Sequence, residues 1–512
     1  MLNHDFKVNN EVEMKFVVNG DGHDKLQKVL PNLSHLLGED IAVKVDYQRK
    51  ILTNQYYDTE DNYFSKHRFG FRIRGCNGVY EQTLKTQGST IGGLHQRGEY
   101  NVELSDAQPQ LSLFSNITWP EEASSADLQT QLVKRFATDF TRDEYRLSIG
   151  DDCVEVVFDC GLVTTENNEH PINEVEIELK QGDVKRVFQV ARILNQHLSL
   201  RLSDTTKAAV GYTLLGEARQ GRRLLPDFLP LEHHISTEEA FCKAVACALD
   251  HWQYHEQLYM NTQALKYLEN VNEGLYLLMQ SVSLYLPVLQ CGPLLTLHKR
   301  LISFAQKWTW LTELHNLRFL RSKKGPFTHF LTEHEALMSY LQGRKVGLLQ
   351  GRSPEQLFFN SEANEIKILT SEIVYHKPWR QEATGYDKPL LEHARGWLSQ
   401  GWQNVMQSLS QQEPLSQTHY IATEAILRQA LSNGFLLADL FSDQRGEFRA
   451  PWQDILIGVE EMKALITLKK LLGDAEFEDI PALKSWTADK LHNLLLVIER
   501  TRAVAIEQEA YW

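Results

Sequence analysis

The 512-residue sequence has no excess of basic residues: 53 Lys and Arg stand against 67 Asp and Glu, a formal net charge of -14. That balance argues against a dedicated nucleic-acid binder, which needs a cationic surface to meet the phosphate backbone. Cysteine is scarce too. The six cysteines, at 76, 153, 160, 242, 247 and 291, form no CxxC pair and no cysteine–histidine spacing of a zinc site. A reduced, intracellular compartment fits them best. Nowhere is there an apolar run long enough to span a bilayer, and the start "MLNHDFKVNNEVEMKF" lacks a basic stretch followed by an apolar one. Neither a membrane partner nor a secretion signal is expected, so the expected location is cytoplasmic. There is no internal repeat and no low-complexity tract. What is there, 42% hydrophobic and 23% charged residues, is the composition of a globular chain with more than one domain.

Two periods divide the chain. Up to about residue 215, short runs such as "EVEMKFVV", "FGFRIRG", "VYEQTLKT", "GEYNVELS", "CVEVVFDCG" and "NEVEIELKQG" alternate in polarity and are bounded by Gly, Asn and Asp. These are antiparallel strand and hairpin signals, interrupted by helical spacing at about 22–37 and 184–197. The proline-containing "GRRLLPDFLPLEHHIS" predicts a linker at 216–235. Ser236 and Glu239 then have the spacing of a capping box, and from 236 to 512 apolar residues recur every three or four positions. The expected fold is α+β: a barrel or sandwich of strands followed by an all-α helical bundle. From residue 241 onward Lys and Arg nearly balance Asp and Glu, so most of the acidic excess lies in the first half.

The strands share an unusual face. Glu11, Glu13 and Lys15 alternate with Val12, Met14 and Phe16; Arg72 and Arg74 share a side, as do Glu81, Thr83 and Lys85, then Arg97, Glu99, Asn101 and Glu103, then Glu155 and Asp159, and then Glu174, Glu176, Glu178 and Lys180. A sheet of this kind closes in one of two ways. Either the apolar faces form the core and the charges face water, or the charges line a wet lumen and helices cover the apolar exterior. The second arrangement costs desolvation unless acids, bases and bound ions offset one another. Arginine and lysine suit a polyanion, whereas carboxylates in the same space suit a hard divalent cation, so a triphosphate with metal ions satisfies both.

"EVEMK" at 11–15 matches the ExExK signature of the CYTH, or triphosphate tunnel metalloenzyme, superfamily. "YYDT" (56–59), "FRIR" (71–74), "TLK" (83–85), "RGE" (97–99), "FD" (158–159), "EVEIE" (174–178) and "SDTTKAAVGY" (203–212) follow in that family's order. The series over residues 1–215 resembles bacterial inorganic triphosphatases, in which a helical CHAD domain follows. The resemblance implies a barrel of about eight antiparallel strands around a tunnel, hydrolysing inorganic triphosphate to pyrophosphate and phosphate with Mg2+ or Mn2+. By position it implies Glu11, Glu13 and Glu176 at a first metal ion, and Glu99, Asp159 and Glu178 at a second ion and its water. Lys15, Arg72, Arg74, Lys85, Arg97, Arg142 and Lys207 would contact phosphate, with Lys85, Arg97 and Glu99 closest to the chemistry. Glu81 and Glu103 are expected as strand ion pairs, and Tyr56 and Tyr57 as packing residues. Class IV adenylyl cyclases and thiamine triphosphatases share the tunnel, and a non-catalytic polyphosphate binder would share the charges. For the helical part, 236–512, the resemblance implies polyphosphate contact, for which His298, Lys299, Arg300, His315, Arg318, Arg321, Lys323 and Lys324 are the basic candidates. Their dilution by Trp308, Trp310 and leucines favours a packing role instead.

Overall fold

The computed structural model describes residues 7–38, 42–217, 221–411, 413–441, 444–476 and 478–512. Its described residues form two compact units, one from Met1–Gly221 with Glu355–His376 and the other from Arg222–Pro354 with Lys377–Trp512.

The first unit is built on ten strands: β1 (Lys7–Val18), β2 (Val43–Thr59), β3 (Gly70–Cys76), β4 (Val79–Lys85), β5 (Ser89–Ile91), β6 (Leu94–Leu104), β7 (Leu132–Ile149), β8 (Asp152–Thr164), β9 (Glu169–Gln181) and β10 (Leu200–Leu202). Eight of them close a ring in the order β1-β9-β8-β7-β2-β3-β4-β6 and back to β1, every pairing antiparallel. β10 takes over the edge of β1 where β6 leaves it, and β5 folds back on the start of β6. Local chemistry fits the turns. Asn77 and Gly78 both adopt positive φ between β3 and β4, the backbone that a two-residue hairpin of matching twist requires.

The alternation resolves in favour of a charged lumen. Val12, Met14, Phe16, Val154, Val156, Phe158, Val175 and Ile177 lie in one buried cluster with Leu26 and Val29 of the helix His23–Val29 and Val187, Phe188, Ala191 and Leu194 of the helix Lys185–His197. The apolar exterior is therefore covered by helices, and the charged residues between those positions face inward. At one end the lumen carries its own apolar group, Leu52, Tyr56, Phe136, Phe140, Val163 and Ile172, against which the helix Lys207–Leu214 packs. A Cβ at Gly211 would stand 2.3 Å from the Phe136 ring, so only glycine lets this helix sit so close. The Tyr212 hydroxyl, donating to the buried Asp58 at 2.6 Å, pins its far end.

The second unit is helical throughout. Thr237–Thr262 opens on the capping box expected at Ser236 and Glu239, with both reciprocal bonds formed. The run "LTLHKRLISFAQKWTWLTELHNLRFLRS" is two helices, Gly292–Gln306 and Trp310–Leu320, because the chain turns at 307–309 to bury Trp308. Among the described residues no helix is long and apolar enough to cross a membrane. Inside this unit Glu238 is buried and accepts from Trp379 Nε1 at 2.8 Å and Arg380 Nε at 2.9 Å. Arg380 and Trp379 outweigh burial and hold its carboxyl at about 2. A folded-state value below the unfolded one gives stability that is fully present above pH 4.5 and is lost as pH falls toward 2. Thermal unfolding of the full chain between pH 6 and pH 3 should show that loss, whereas E238Q should be less stable at pH 6 by about 1–3 kcal/mol and lack it.

Candidate functional site

Strand register decides which charges meet. Glu11 lies opposite Arg97, Lys15 opposite Glu176, Lys85 opposite Glu99, and Arg142 opposite Asp159. Other positions are less ordinary. Glu13 faces Glu178, Glu178 also faces Glu155, and Asp159 faces Glu174. Like charges directly across a ladder destabilise a sheet, so a surface strand has no reason to keep three such pairs side by side. Two of the three pairs are bridged by a lysine: Lys180 stands 2.7 Å from Glu178 and 3.2 Å from Glu155, and Lys207 contacts both Asp159 and Glu174.

Two groups result. In the first, Lys85 Nζ contacts both Glu11 carboxylate oxygens at 2.6 and 2.8 Å, while Arg97 donates to Glu11 and to Glu13, each at 2.9 Å. Burial would raise the Glu11 carboxyl, but Lys85 and Arg97 overcome it and hold it at about 2. Burial and neighbouring Glu11 push Glu13 the other way. Glu99 stands with Lys85 at 3.5 Å and Arg72 at 3.8 Å. In the second group Arg142 forms a two-pronged pair with Asp159, 2.8 and 2.7 Å, and reaches Glu176 at 3.1 Å. Lys207 meets Asp159 at 2.7 Å, Glu176 at 3.0 Å and also Glu174, and Lys15 meets Glu174 at 2.7 Å. Against the cost of burial, Lys207, Lys15 and Arg142 keep Glu176 well below the usual carboxylate range.

The structure brings Asp159, Glu176 and Glu174 together: one oxygen of each lies within 4.8 Å of the others. Glu174 is the member that sequence reasoning left out, although it belongs to the same alternating series on β9. Glu178 stands apart from that trio, 2.7 Å from Lys180, its carboxyl raised to about 7 by burial despite that lysine. The three carboxylates offer oxygen donors only, which suits a hard cation such as Mg2+ or Mn2+. Arg72 and Arg74 form the cationic wall. Arg74 donates to Asn54 at 2.9 Å, and burial together with Arg72 and Arg142 lowers its guanidinium to about 10. Tyr56 points inward across from Arg72 and stacks on Phe136, whereas Tyr57 belongs to the exterior cluster around Phe71. Glu81 faces Glu103 across the ladder and Arg74 on its other side. In the helical unit, His315 and Arg318 are engaged by Glu269, and His298 by Ser283.

Residues 9–212 match the family model of the CYTH domain. Over 220 residues, 43% of this chain, the sequence is 31% identical to the inorganic triphosphatase of Haemophilus influenzae, and the match spans 57% of that relative's length. Among solved structures, Hippeastrum HpAC1, described as an adenylyl cyclase with a dominant triphosphatase activity, matches 40% of this chain and 95% of its own at 19% identity, with a TM-score of 0.29. The CHAD domain of Ricinus communis matches 57% of this chain and 99% of its own at 12% identity, with a TM-score of 0.45. The strand ring with its charged interior and the family match coincide on the same residues: the chain contains a CYTH domain over 9–212.

Proposed function

We propose that the lumen hydrolyses inorganic triphosphate to pyrophosphate and phosphate with the help of divalent metal ions. The observation that carries this reading is the acid-facing-acid register of β1, β9 and β8, set beside a wall of buried arginines and lysines. Such a lumen is complementary to a polyanion and its cations together. Asp159, Glu174 and Glu176 would hold one ion, and Glu11, Glu13 and Glu99, gathered around Lys85 and Arg97, would hold a second together with Glu178, which lies opposite Glu13. Bound there, the ions would neutralise phosphate oxygens and lower the pKa of a coordinated water. Lys15, Arg72, Arg74, Lys85, Arg97, Arg142 and Lys207 orient the phosphate chain and offset the charge that builds on the departing pyrophosphate. In the hydrolysis a water oxygen would bond the terminal phosphorus as the bridging P–O bond breaks, with pyrophosphate leaving and a proton passing to solvent. Before substrate arrives the same cations pair with the carboxylates, which keeps a buried charged interior compatible with folding.

The purified full chain should release phosphate from triphosphate when Mg2+ or Mn2+ is added and stop when a chelator removes it. ATP and thiamine triphosphate are the parallel substrates, with cyclic AMP monitored for cyclase chemistry. Glu11→Gln and Glu13→Gln should abolish turnover in chains that still fold. Tight polyphosphate binding that survives both substitutions, in a parent that hydrolyses nothing, would identify a binding protein instead.

A further inference from the structure

The helix Ser361–His376 comes from the middle of the helical sequence yet belongs to the strand-rich unit. Two of its polar side chains, both buried, are spent on backbone of that unit. Asn364 accepts from Leu202 N at 2.9 Å and donates to Leu200 O at 2.6 Å, which satisfies the outer edge of β10 as a further strand would. Its amide also reaches Asn195 Oδ1 at 3.0 Å, and Asn195 in turn donates to Ser361 O at 2.7 Å. The Ser371 hydroxyl, with one proton to donate, lies nearest Ile91 O at 2.7 Å, with Lys367 O of its own helix at 2.9 Å and Gly92 O at 3.1 Å, at the turn from β5 into β6. Ile368, between them along the helix, is fully buried in the cluster that covers β1. Arg192 adds ion pairs to Glu365 and Glu372.

Both anchored segments run straight into the lumen. After Leu202, Ser203 N bonds Lys15 O at 3.0 Å, Thr206 caps the next helix, and its first residue is Lys207. After Gly92 come Gly93, which bonds Lys15 N through its carbonyl, and β6 with Arg97. We infer that Asn364 and Ser371 are positioning residues for the lumen: by fixing the ends of β10 and β5 they set where Lys207 and Arg97 stand, so the helical sequence contributes a working part of the tunnel. The kinetic consequence rests on the proposed triphosphatase reading. The anchoring itself does not.

The test uses the full chain with N364L, which removes all three side-chain bonds of Asn364 at similar size, with S371A, and with I368A as a control that loosens the packing of the same helix while leaving the hydrogen bonds to both backbone segments in place. Amide hydrogen exchange should speed up over 200–204 in N364L and over 91–97 in S371A, and do neither in I368A at matched overall stability. Unchanged exchange in both variants, or an equal increase in I368A, overturns the anchoring. In kinetics, N364L should lose about tenfold in kcat/KM for triphosphate, as expected for a displaced substrate contact, and N364D, which keeps the acceptor for Leu202 N, should recover part of it. An I368A chain of equal stability that loses as much overturns the positioning role. If N364L does not fold, S371A against I368A decides both points. A parent without hydrolysis would refute the proposed reaction while leaving the exchange result to decide the anchor.

Discussion

Glutamine at position 176 is expected to cut triphosphate turnover by about 100- to 1,000-fold in a chain that remains folded. Glu176 is the centre of the second charge group, facing Lys207 at 3.0 Å, Arg142 at 3.1 Å and Lys15 at 3.4 Å. Those cations hold its carboxyl well below the usual carboxylate range, so the wild-type side chain is an anion at neutral pH. Glutamine keeps the length and one carbonyl oxygen but removes the charge. A hard cation loses an anionic donor, and three cations lose their shared partner, although Asp159 and Glu174 remain to engage Lys207 and Arg142. The stability cost should stay near the 1–3 kcal/mol of a charged hydrogen bond. Steady-state kinetics with Mg2+ or Mn2+, alongside a thermal melt, check this. A folded E176Q chain with the parent's kcat/KM would remove Glu176 from the site.

The second large effect is expected at Arg74, where binding and stability should move in opposite directions. Its guanidinium is lowered to about 10 by burial and by Arg72 and Arg142, so the folded state disfavours the very charge it carries. Replacing it with methionine should leave the substrate-free chain as stable as the parent or more so, because removing a disfavoured buried charge outweighs the Asn54 Oδ1 left without its donor, while Asn54 still donates to Thr138 at 2.9 Å. Binding should suffer: losing one charge-assisted contact of about 1.5–3 kcal/mol raises KM about 10- to 100-fold. Triphosphate should also raise the melting temperature of the parent by more than that of R74M. An R74M chain that is markedly destabilised but binds triphosphate normally would make Arg74 a structural residue.

Much of the lumen was legible because a strand has a period of two. Once Glu11, Glu13 and Lys15 alternate with Val12, Met14 and Phe16, no rearrangement can place both sets on one face. The same rule picked out Arg72 with Arg74 and Glu174 with Glu176. It could not say which face was inside, because alternation is symmetrical; that followed from the helices His23–Val29 and Lys185–His197 covering the apolar side. Glu174 was missed for a related reason. Its neighbours on β9 fit the resemblance, while its own role depends on Asp159 lying opposite it on β8.

By itself, then, the sequence determined local matters: the strands and their two faces, the capping box at Ser236, the helical second half, and the set of charges available to a site. Tertiary structure alone decided the pairings across strands, the division of those charges into two groups, the helix Lys207–Leu214 packed at one end of the lumen, and the membership of Ser361–His376 in the strand-rich unit. The physical reason is range. Period and capping act within a few residues of the chain, whereas a ring of strands closes through hydrogen bonds between segments far apart in sequence, and only that closure brings Lys15, Asp159, Glu176 and Lys207 together.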